Sequence, residues 1–170
     1  MKIESICKSF LFIALAPLLG AWVNPAACEK HGTSIVVETG RHRLYVCENG
    51  KTQISYRSAL GRGGLDKRVE GDNKTPFGTY PLGKPRTSNE FHVFIPVGYP
   101  TRNQKLNGYT GGDIGIHGPP VRFAESYYVS AAISYLDWTR GCIALGQNDF
   151  IEAVAAWVET HPKALLHLLP

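Results

Sequence analysis

Cys142 and His117 are the residues whose types and settings point to chemistry. A cysteine attacks a carbonyl carbon as its thiolate, and a neighbouring imidazole can take the thiol proton and stabilise the anion that results. No single helix or hairpin need join the two, so the fold must bring them together. Asp113-Ile114-Gly115-Ile116-His117-Gly118 alternates like a strand ending at His117, and Gly118-Pro119-Pro120 breaks it at once. Gly141 precedes the thiol in Asp137-Trp138-Thr139-Arg140-Gly141-Cys142-Ile143-Ala144-Leu145. It permits a sharp turn that aims backbone N–H groups at an oxyanion developing beside Cys142. On residue type alone a second reading stands, in which Cys142 is a buried small hydrophobe and His117 a hydrogen-bonded strand end.

Positioning the pair takes several short strands. Ser34 to Glu38 and Arg43 to Cys47 are β-branched or aromatic and are separated by Thr39-Gly40. Asn49-Gly50 is a pair favoured in two-residue hairpins, where both central residues take positive φ, so Thr52 to Leu60 reads as the return strand. Glycines and charges from Gly61 to Lys74 predict a mobile loop, closed by Thr75-Pro76; Gly63-Gly64 lacks the continuation of a phosphate cradle. Extended structure resumes at Gly78 to Leu82 and at Phe91 to Ile95. Pro96 to Gly112 reads as a second long loop, directly before the His117 strand, and long loops are often functional. Tyr109 within it is either a wall of a substrate groove or a partly buried anchor. Tyr127, Tyr128, Ala131, Ala132 and Tyr135 recur at helical spacing and predict a short helix or lid over Glu125 to Leu136. Trp138 either shapes the wall near Cys142 or fills core. Asp149 and Glu152 form an approximate capping box for a helix with Phe150, Ile151, Val154, Trp157 and Val158 on one face, ending near His161-Pro162. Ala164 to Leu169 fits a final strand in which His167 alternates against Leu166 and Leu168 and is structural.

Ile116-His117-Gly118 together with Thr139-Arg140-Gly141-Cys142 resembles the signature of the L,D-transpeptidase catalytic domain, the YkuD-like family of bacterial cell-wall enzymes. Gly71-Asp72-Asn73-Lys74-Thr75-Pro76-Phe77-Gly78-Thr79-Tyr80 is similar to that family's GD-x-x-TP-x-G-x-Y element, and the Asn49-Gly50 hairpin resembles its N-terminal hairpin. Three motifs in the right order are more specific than any one. The resemblance runs from about Ser34 to Leu169. It implies a mainly β fold with few helices, a β-sandwich with a helix after the catalytic cysteine.

The resemblance also implies a reaction. Cys142 would attack the carbonyl preceding a terminal D-amino acid of a peptidoglycan stem peptide, with His117 as general base and acid. The backbone around Gly141 would form the oxyanion site, and Thr139 or the Gly118 carbonyl would orient His117. The thioester then passes to an acceptor amine, that of a neighbouring stem or of an envelope lipoprotein lysine. With water as acceptor the same pair makes a carboxypeptidase-like or amidase-like hydrolase. Tyr109, Trp138 and Arg140 are the candidate substrate contacts. Two positions depart from the family pattern: Arg140 stands where a His is common, and Ala144 where an Asn or Arg is common two residues after the cysteine. An inert wall-binding module is the rival of another class; a papain-like protease has its cysteine before its histidine, the reverse of this order.

Length and composition fit one exported domain. In 170 residues, Lys2 and Lys8 precede an apolar run from Phe10 to Val23 that is closed by Asn24-Pro25, which reads as a signal peptide over residues 1–27. The catalytic domain then occupies 33–170, in the periplasm or cell envelope. An uncleaved leader would anchor the chain in the membrane, and Pro25-Ala26-Ala27-Cys28 imitates a lipoprotein site that would tether it through a lipidated Cys28. With Cys7 removed and Cys142 kept free, parity leaves Cys28 and Cys47 to form a disulfide or to pack as separate thiols. A net charge of +4 is mild. Arg41, Arg43, Arg57, Arg62, Lys67 and Arg68 read as a solvated face, without the aromatic interleaving of a nucleic-acid binder. No metal or cofactor is expected, since His31, His42, His92 and His161 share no ligand spacing.

Overall fold

The computed structural model describes residues 25–170. Nine strands make one sheet: β1 Ser34–Glu38, β2 Arg43–Glu48, β3 Lys51–Ala59, β4 Gly78–Pro81, β5 Arg86–Ser88, β6 His92–Pro96, β7 Gly115–His117, β8 Ile143–Leu145 and β9 Leu165–Leu169. Their order across the sheet is β4-β9-β1-β2-β3-β8-β7-β6-β5. The sheet curls back on itself. Leu82, just past β4 at one end, bridges Val97, just past β6 near the other, and Gly83 N–H donates to Pro96 O at 2.8 Å while Gly98 N–H donates to Pro81 O at 2.9 Å.

Alternation along the strands explains how this curl is filled. Ile35, Val37, Leu44 and Val46 point to one side of the β1–β2 pair, where they join Ile95, Ile116, Ile143, Leu166 and Leu168 in the main core. Side chains of successive strand residues face opposite ways, so Val36, Tyr45 and Cys47 fall on the other side. That second face is covered by α1 (Pro25–Glu29), which buries Ala27 and Cys28 against it. Asn49 and Gly50, at φ +50° and +76°, form the two-residue turn between β2 and β3. The helix α5 (Asn148–Thr160) lays Ile151, Val154 and Val158 on the main core, with Phe150 and Trp157 at its margin. The architecture is mainly β with few helices, and the long helix follows Cys142 as expected.

Several local expectations are corrected. The helix α5 starts at Asn148 with Gln147 as an N-cap whose side chain bonds none of the helix N–H groups, so Asp149 lies inside the first turn. Glu152 has no capping role and instead meets His92, Oε1 to Nε2, at 2.6 Å. A true capping box sits within the Pro96 to Gly112 stretch that was expected to be a long loop. Thr101 and Gln104 exchange side-chain bonds at the start of α2 (Arg102–Leu106). The Glu125 to Leu136 segment holds the expected short helix, α4 (Tyr127–Ile133), and a further short helix, α3 (Val121–Ala124), precedes it.

The Gly61 to Lys74 loop is cross-braced. Gly63 N–H donates to Asn73 O, Thr75 N–H to Gly64 O, and Gly61 N–H to Thr75 Oγ1. Asp72 accepts from Lys67 Nζ at 2.8 Å and from the backbone N–H groups of Arg68, Val69 and Lys74. These donors outweigh the cost of burying the carboxylate and hold it well below the usual carboxylate range. Lys67 is therefore no part of a solvated face: it is 4% exposed and its ammonium is paired.

Residues Met1 to Asn24, most of the expected leader, lie outside the described residues, as does Cys7. No helix among the described residues is long and apolar enough to cross a membrane. Cys28 and Cys47 form a disulfide, with Cα atoms 5.3 Å apart. The Sγ atom that a lipid would require at Cys28 is thus bonded to Cys47.

The bridge closes a loop of sequence separation 19, and its loss is expected to lower stability by about 3 kcal/mol through the entropy regained by the unfolded chain. Urea unfolding of the Cys28→Ser/Cys47→Ser protein should show a lower midpoint than the oxidised protein. An unchanged midpoint would show that α1 and the second core hold without the bridge.

Candidate functional site

Parallel pairing of β7 with β8 brings the two candidate residues together. Ile116 is opposite Ile143 and His117 opposite Ala144. The same register sets Cys142 beside Gly115, and because alternate residues of a strand share a face, His117 and Cys142 project to the same side. Both line one cleft of about 860 Å³.

The imidazole is held on every side. His117 is buried, and its Nδ1 is 2.7 Å from the Gly118 carbonyl, which can only accept, so Nδ1 carries the proton and Nε2 keeps its lone pair. Phe91 stacks on the ring with centroids 3.8 Å apart, Phe94 lies parallel at 6.2 Å and Trp138 meets it edge-on at 5.6 Å. Of the two candidate orienters, Gly118 is the one that touches His117. Thr139 instead braces the thiol turn, where its hydroxyl donates to Cys142 O at 2.8 Å and accepts from Gly141 N–H at 3.1 Å.

That second bond corrects the expected role of Gly141, whose N–H is engaged by Thr139. What Gly141 contributes is space and backbone shape. Its φ is +126°, and a Cβ there would come within 2.5 Å of Lys74 O. The Gly71 to Tyr80 motif is thereby explained, because its Asp72-braced loop packs directly behind the residue preceding the thiol. The turn is also tied to the chain after β3. Asp137 Oδ1 accepts from Leu60 N–H at 2.8 Å, Thr139 N–H donates to Leu60 O, and Arg62 N–H donates to Thr139 O.

Burial drives both reactive groups towards neutrality. Desolvation lowers His117 to about 4, against a smaller opposing effect of its bond to Gly118. It raises Cys142 to about 11, opposed chiefly by the Gly115 backbone N–H directed at the sulfur. The Cys142 thiol lies 3.5 Å from Asp113 O, to which it can donate. Both shifts favour the neutral forms, a thiol and an imidazole on one face of the β7–β8 pair.

The remaining predicted contacts divide. Trp138 and Arg140 line the cleft, joined by Arg62, Lys67 and Arg86 as further cations and by Glu70, Glu90 and Asp113 as acids. Tyr109 is placed elsewhere: it packs on the main core under the Arg68 guanidinium, 5.6 Å from its ring centre, and is not among the cleft-lining residues. Phe91 and Phe94 were missed from sequence. Their strand was legible, but nothing in its alternation shows which histidine its aromatic side chains would meet. Ala144 is buried opposite His117, so the position offers no polar side chain to the cleft. No cluster of three or more metal-binding side chains occurs among the described residues.

A curled sheet with a thiol and an oriented imidazole on adjacent parallel strands defines a Cys–His cleft domain. Residues 32–164 match the family model of the YkuD L,D-transpeptidase catalytic domain, and the chain belongs to that family. Among solved structures it is similar to the helical cell shape determining protein Pgp2 from Campylobacter jejuni, with 29% identity and a TM-score of 0.63 over 79% of this chain and 46% of that one. It is similar also to Bd1075 from Bdellovibrio bacteriovorus, with 20% identity and a TM-score of 0.55 over 82% and 48%. An L,D-transpeptidase from Mycobacterium tuberculosis H37Rv shares the fold at 13% identity and a TM-score of 0.50, over 81% and 57%. The chain spans less than half the length of the first two. No curated protein matches it.

Thiolate absorbance near 240 nm, taken as the difference between the protein and its Cys142→Ala variant, should stay flat through neutral pH and rise only towards about 11. A thiolate step below pH 8 would show that the resting pair is ionised. The Gly141→Ala variant is expected to lose stability and to displace the thiol, because the backbone φ and the Lys74 carbonyl both reject a Cβ.

Proposed function

We propose that the protein is a cysteine-dependent L,D-transpeptidase that transfers a peptidoglycan stem peptide to an acceptor amine. The observation that carries this reading is the register that sets Cys142 and the Nδ1-protonated His117 on one face of the β7–β8 pair. The family acts on stem peptides.

In this mechanism the stem enters the cleft and the Cys142 sulfur bonds to the carbonyl carbon that precedes the terminal D-amino acid, while the thiol proton passes to His117 Nε2. The transfer costs less once the substrate excludes water and negative charge moves from sulfur to the carbonyl oxygen. With the Gly141 N–H engaged by Thr139, we assign the Cys142 N–H as the backbone donor to that oxygen. Collapse breaks the C–N bond, the leaving amine takes the proton from His117, and a thioester remains. The acceptor amine attacks it and gives its own proton to His117, and cleavage of the C–S bond restores the thiol. A lipoprotein lysine can serve as acceptor in place of a neighbouring stem. Arg62, Arg86 and Arg140 at the cleft supply positive charge for stem carboxylates, in place of a polar residue at position 144.

We place the reaction in the periplasm. The basic and apolar leader supports export, and the Cys28–Cys47 disulfide fits an oxidising compartment. The similarity to Pgp2, a helical cell shape determining protein, supports a role in cell shape.

Purified protein incubated with tetrapeptide muropeptides should give cross-linked dimers and free D-amino acid by mass spectrometry. Cys142→Ala should lower the rate by about 10³-fold or more, and His117→Gln by about 10²–10⁴-fold. Trimmed stems without dimers would make the protein a hydrolase using the same pair. His117 works as a base only when neutral, so kcat/KM should be level at neutral pH and fall as pH drops through about 4. A fall centred near 6.5 would show that the imidazole is not desolvated in the working enzyme. Arg140→Ala and Arg86→Ala should raise KM and weaken its salt dependence, with kcat little changed.

A further inference from the structure

The crossover between β7 and β8 carries a helix that is inside out. Of the described residues of α4, the one fully buried is Ser130, while Tyr127 and Tyr128 are 65% and 84% exposed. Just beyond the helix, Ser134 is buried while Tyr135 and Leu136 are 68% and 63% exposed. An amphipathic helix on a protein surface normally does the opposite. Most of the large hydrophobic side chains exposed in the described molecule fall between Val121 and Leu136.

The inward side leaves no place for these aromatics to go. Ser130 Oγ donates to Ser126 O and accepts from Gln147 Nε2 at 3.0 Å, while Ser134 Oγ donates to Ala131 O. Gly146 lies against this side so closely that a Cβ there would sit 3.0 Å from Ser134 Cβ. From β3, Arg57 Nε donates to Ser134 O at 3.3 Å and its guanidinium covers the Tyr135 ring at 4.3 Å. Tyr127 and Tyr128 brace one another edge to face. The result is a cluster of tyrosines turned to solvent, with Tyr127 and Tyr128 perpendicular to one another and one face of Tyr135 resting on Arg57, and exposed apolar patches of this kind mark binding surfaces.

The occupant follows from where the platform leads. The chain runs from Tyr135 and Leu136 through Asp137 directly into Trp138, Thr139, Arg140 and Cys142 of the cleft. A stem peptide in that cleft remains covalently attached at its far end to a sugar, and a few extended residues reach only about 3.3–3.6 Å each. The glycan then lies outside the cleft, and the tyrosines are the exposed aromatic surface joined to it through Asp137 and Trp138. Flat phenol rings with a polar rim suit a pyranose, whose C–H face packs on an aromatic ring while its hydroxyls bond at the edge.

We propose that Tyr127, Tyr128 and Tyr135 form a glycan-binding platform that seats the N-acetylated amino-sugar strand of peptidoglycan while its stem occupies the Cys142 cleft. This rests on the stem-peptide reading of the cleft for its choice of sugar polymer, but binding to the platform does not require turnover.

The test compares the full chain with its Tyr127→Ser/Tyr128→Ser/Tyr135→Ser variant, whose substituted side chains are exposed and whose fold is checked by circular dichroism. The probe for binding is glycan strands stripped of their stems by an amidase, followed by co-sedimentation and calorimetry. The native protein should bind the strands, and the variant about tenfold or more weakly. On intact sacculi the variant's rate should fall to a similar degree, while its kcat and KM on free soluble stems stay unchanged. Equal glycan affinity in the two proteins overturns the platform, as does an equal loss on free stems. Dimerisation through the tyrosines in light scattering, or partition onto anionic vesicles, without glycan binding would assign the face to a second copy or to a membrane and would also overturn it. No turnover of free stems by native protein that still binds glycan would instead overturn the reading of the cleft.

Discussion

The parallel pairing of β7 with β8 is the constraint on which the site depends. Each strand is only three residues long, yet their register fixes both which residues are opposite and which faces they share. A slip of one residue would turn either Cys142 or His117 to the other side of the sheet. Parallel strands cannot be joined by a tight turn and need a crossover of a dozen or more residues. The separation of the histidine and cysteine motifs in sequence is the consequence. So is the presence of α3 and α4, which lie within that crossover.

Burial then sets the chemistry. The aromatic rings around His117 remove the imidazole from water, Cys142 is half-buried at the cleft, and desolvation moves both groups towards their neutral forms. The site is held ready by geometry instead of by charge. Its proton-bearing Nδ1 is fixed by a carbonyl of its own chain, and its thiol turn is fixed by Thr139, Asp137 and the Asp72-braced loop. Asp72 is the hub of that support. It lies outside the reacting centre, yet the carbonyl of Lys74, two residues on, is what makes glycine obligatory at position 141.

Much of this was legible in the sequence, for identifiable reasons. The β1–β3 strands and the Asn49-Gly50 turn show because alternation and turn chemistry are local. The reactive pair shows because glycine and proline punctuate its strand ends. Lys67 was misread because a lysine among charges looks solvated until its ammonium finds Asp72 within the same loop. The sequence identified α4 as helical but could not say which side faced in, since periodicity records spacing and not direction. Here the serines, able to satisfy their hydroxyls on nearby carbonyls, take the buried side. Phe91 and Phe94 escaped for a related reason: the stack on His117 arises between neighbouring strands whose pairing only the fold determines.

Ala144 shows how the same register limits what specificity can look like. It sits two residues beyond Cys142, directly opposite His117, and is buried between β3 and β7. A long polar side chain there would have to compete for space with the imidazole and its aromatic surround, or displace them towards solvent. Alanine lets Phe91, Phe94 and Trp138 close around His117, and that closure is what desolvates the base. In the proposed reaction, the charge that meets stem carboxylates comes instead from Arg62, Arg86 and Arg140, which line the cleft. For the proposed reaction, a small buried residue opposite the imidazole and arginines elsewhere in the cleft are two parts of one arrangement, in which apolar surroundings serve proton transfer and the arginines serve recognition.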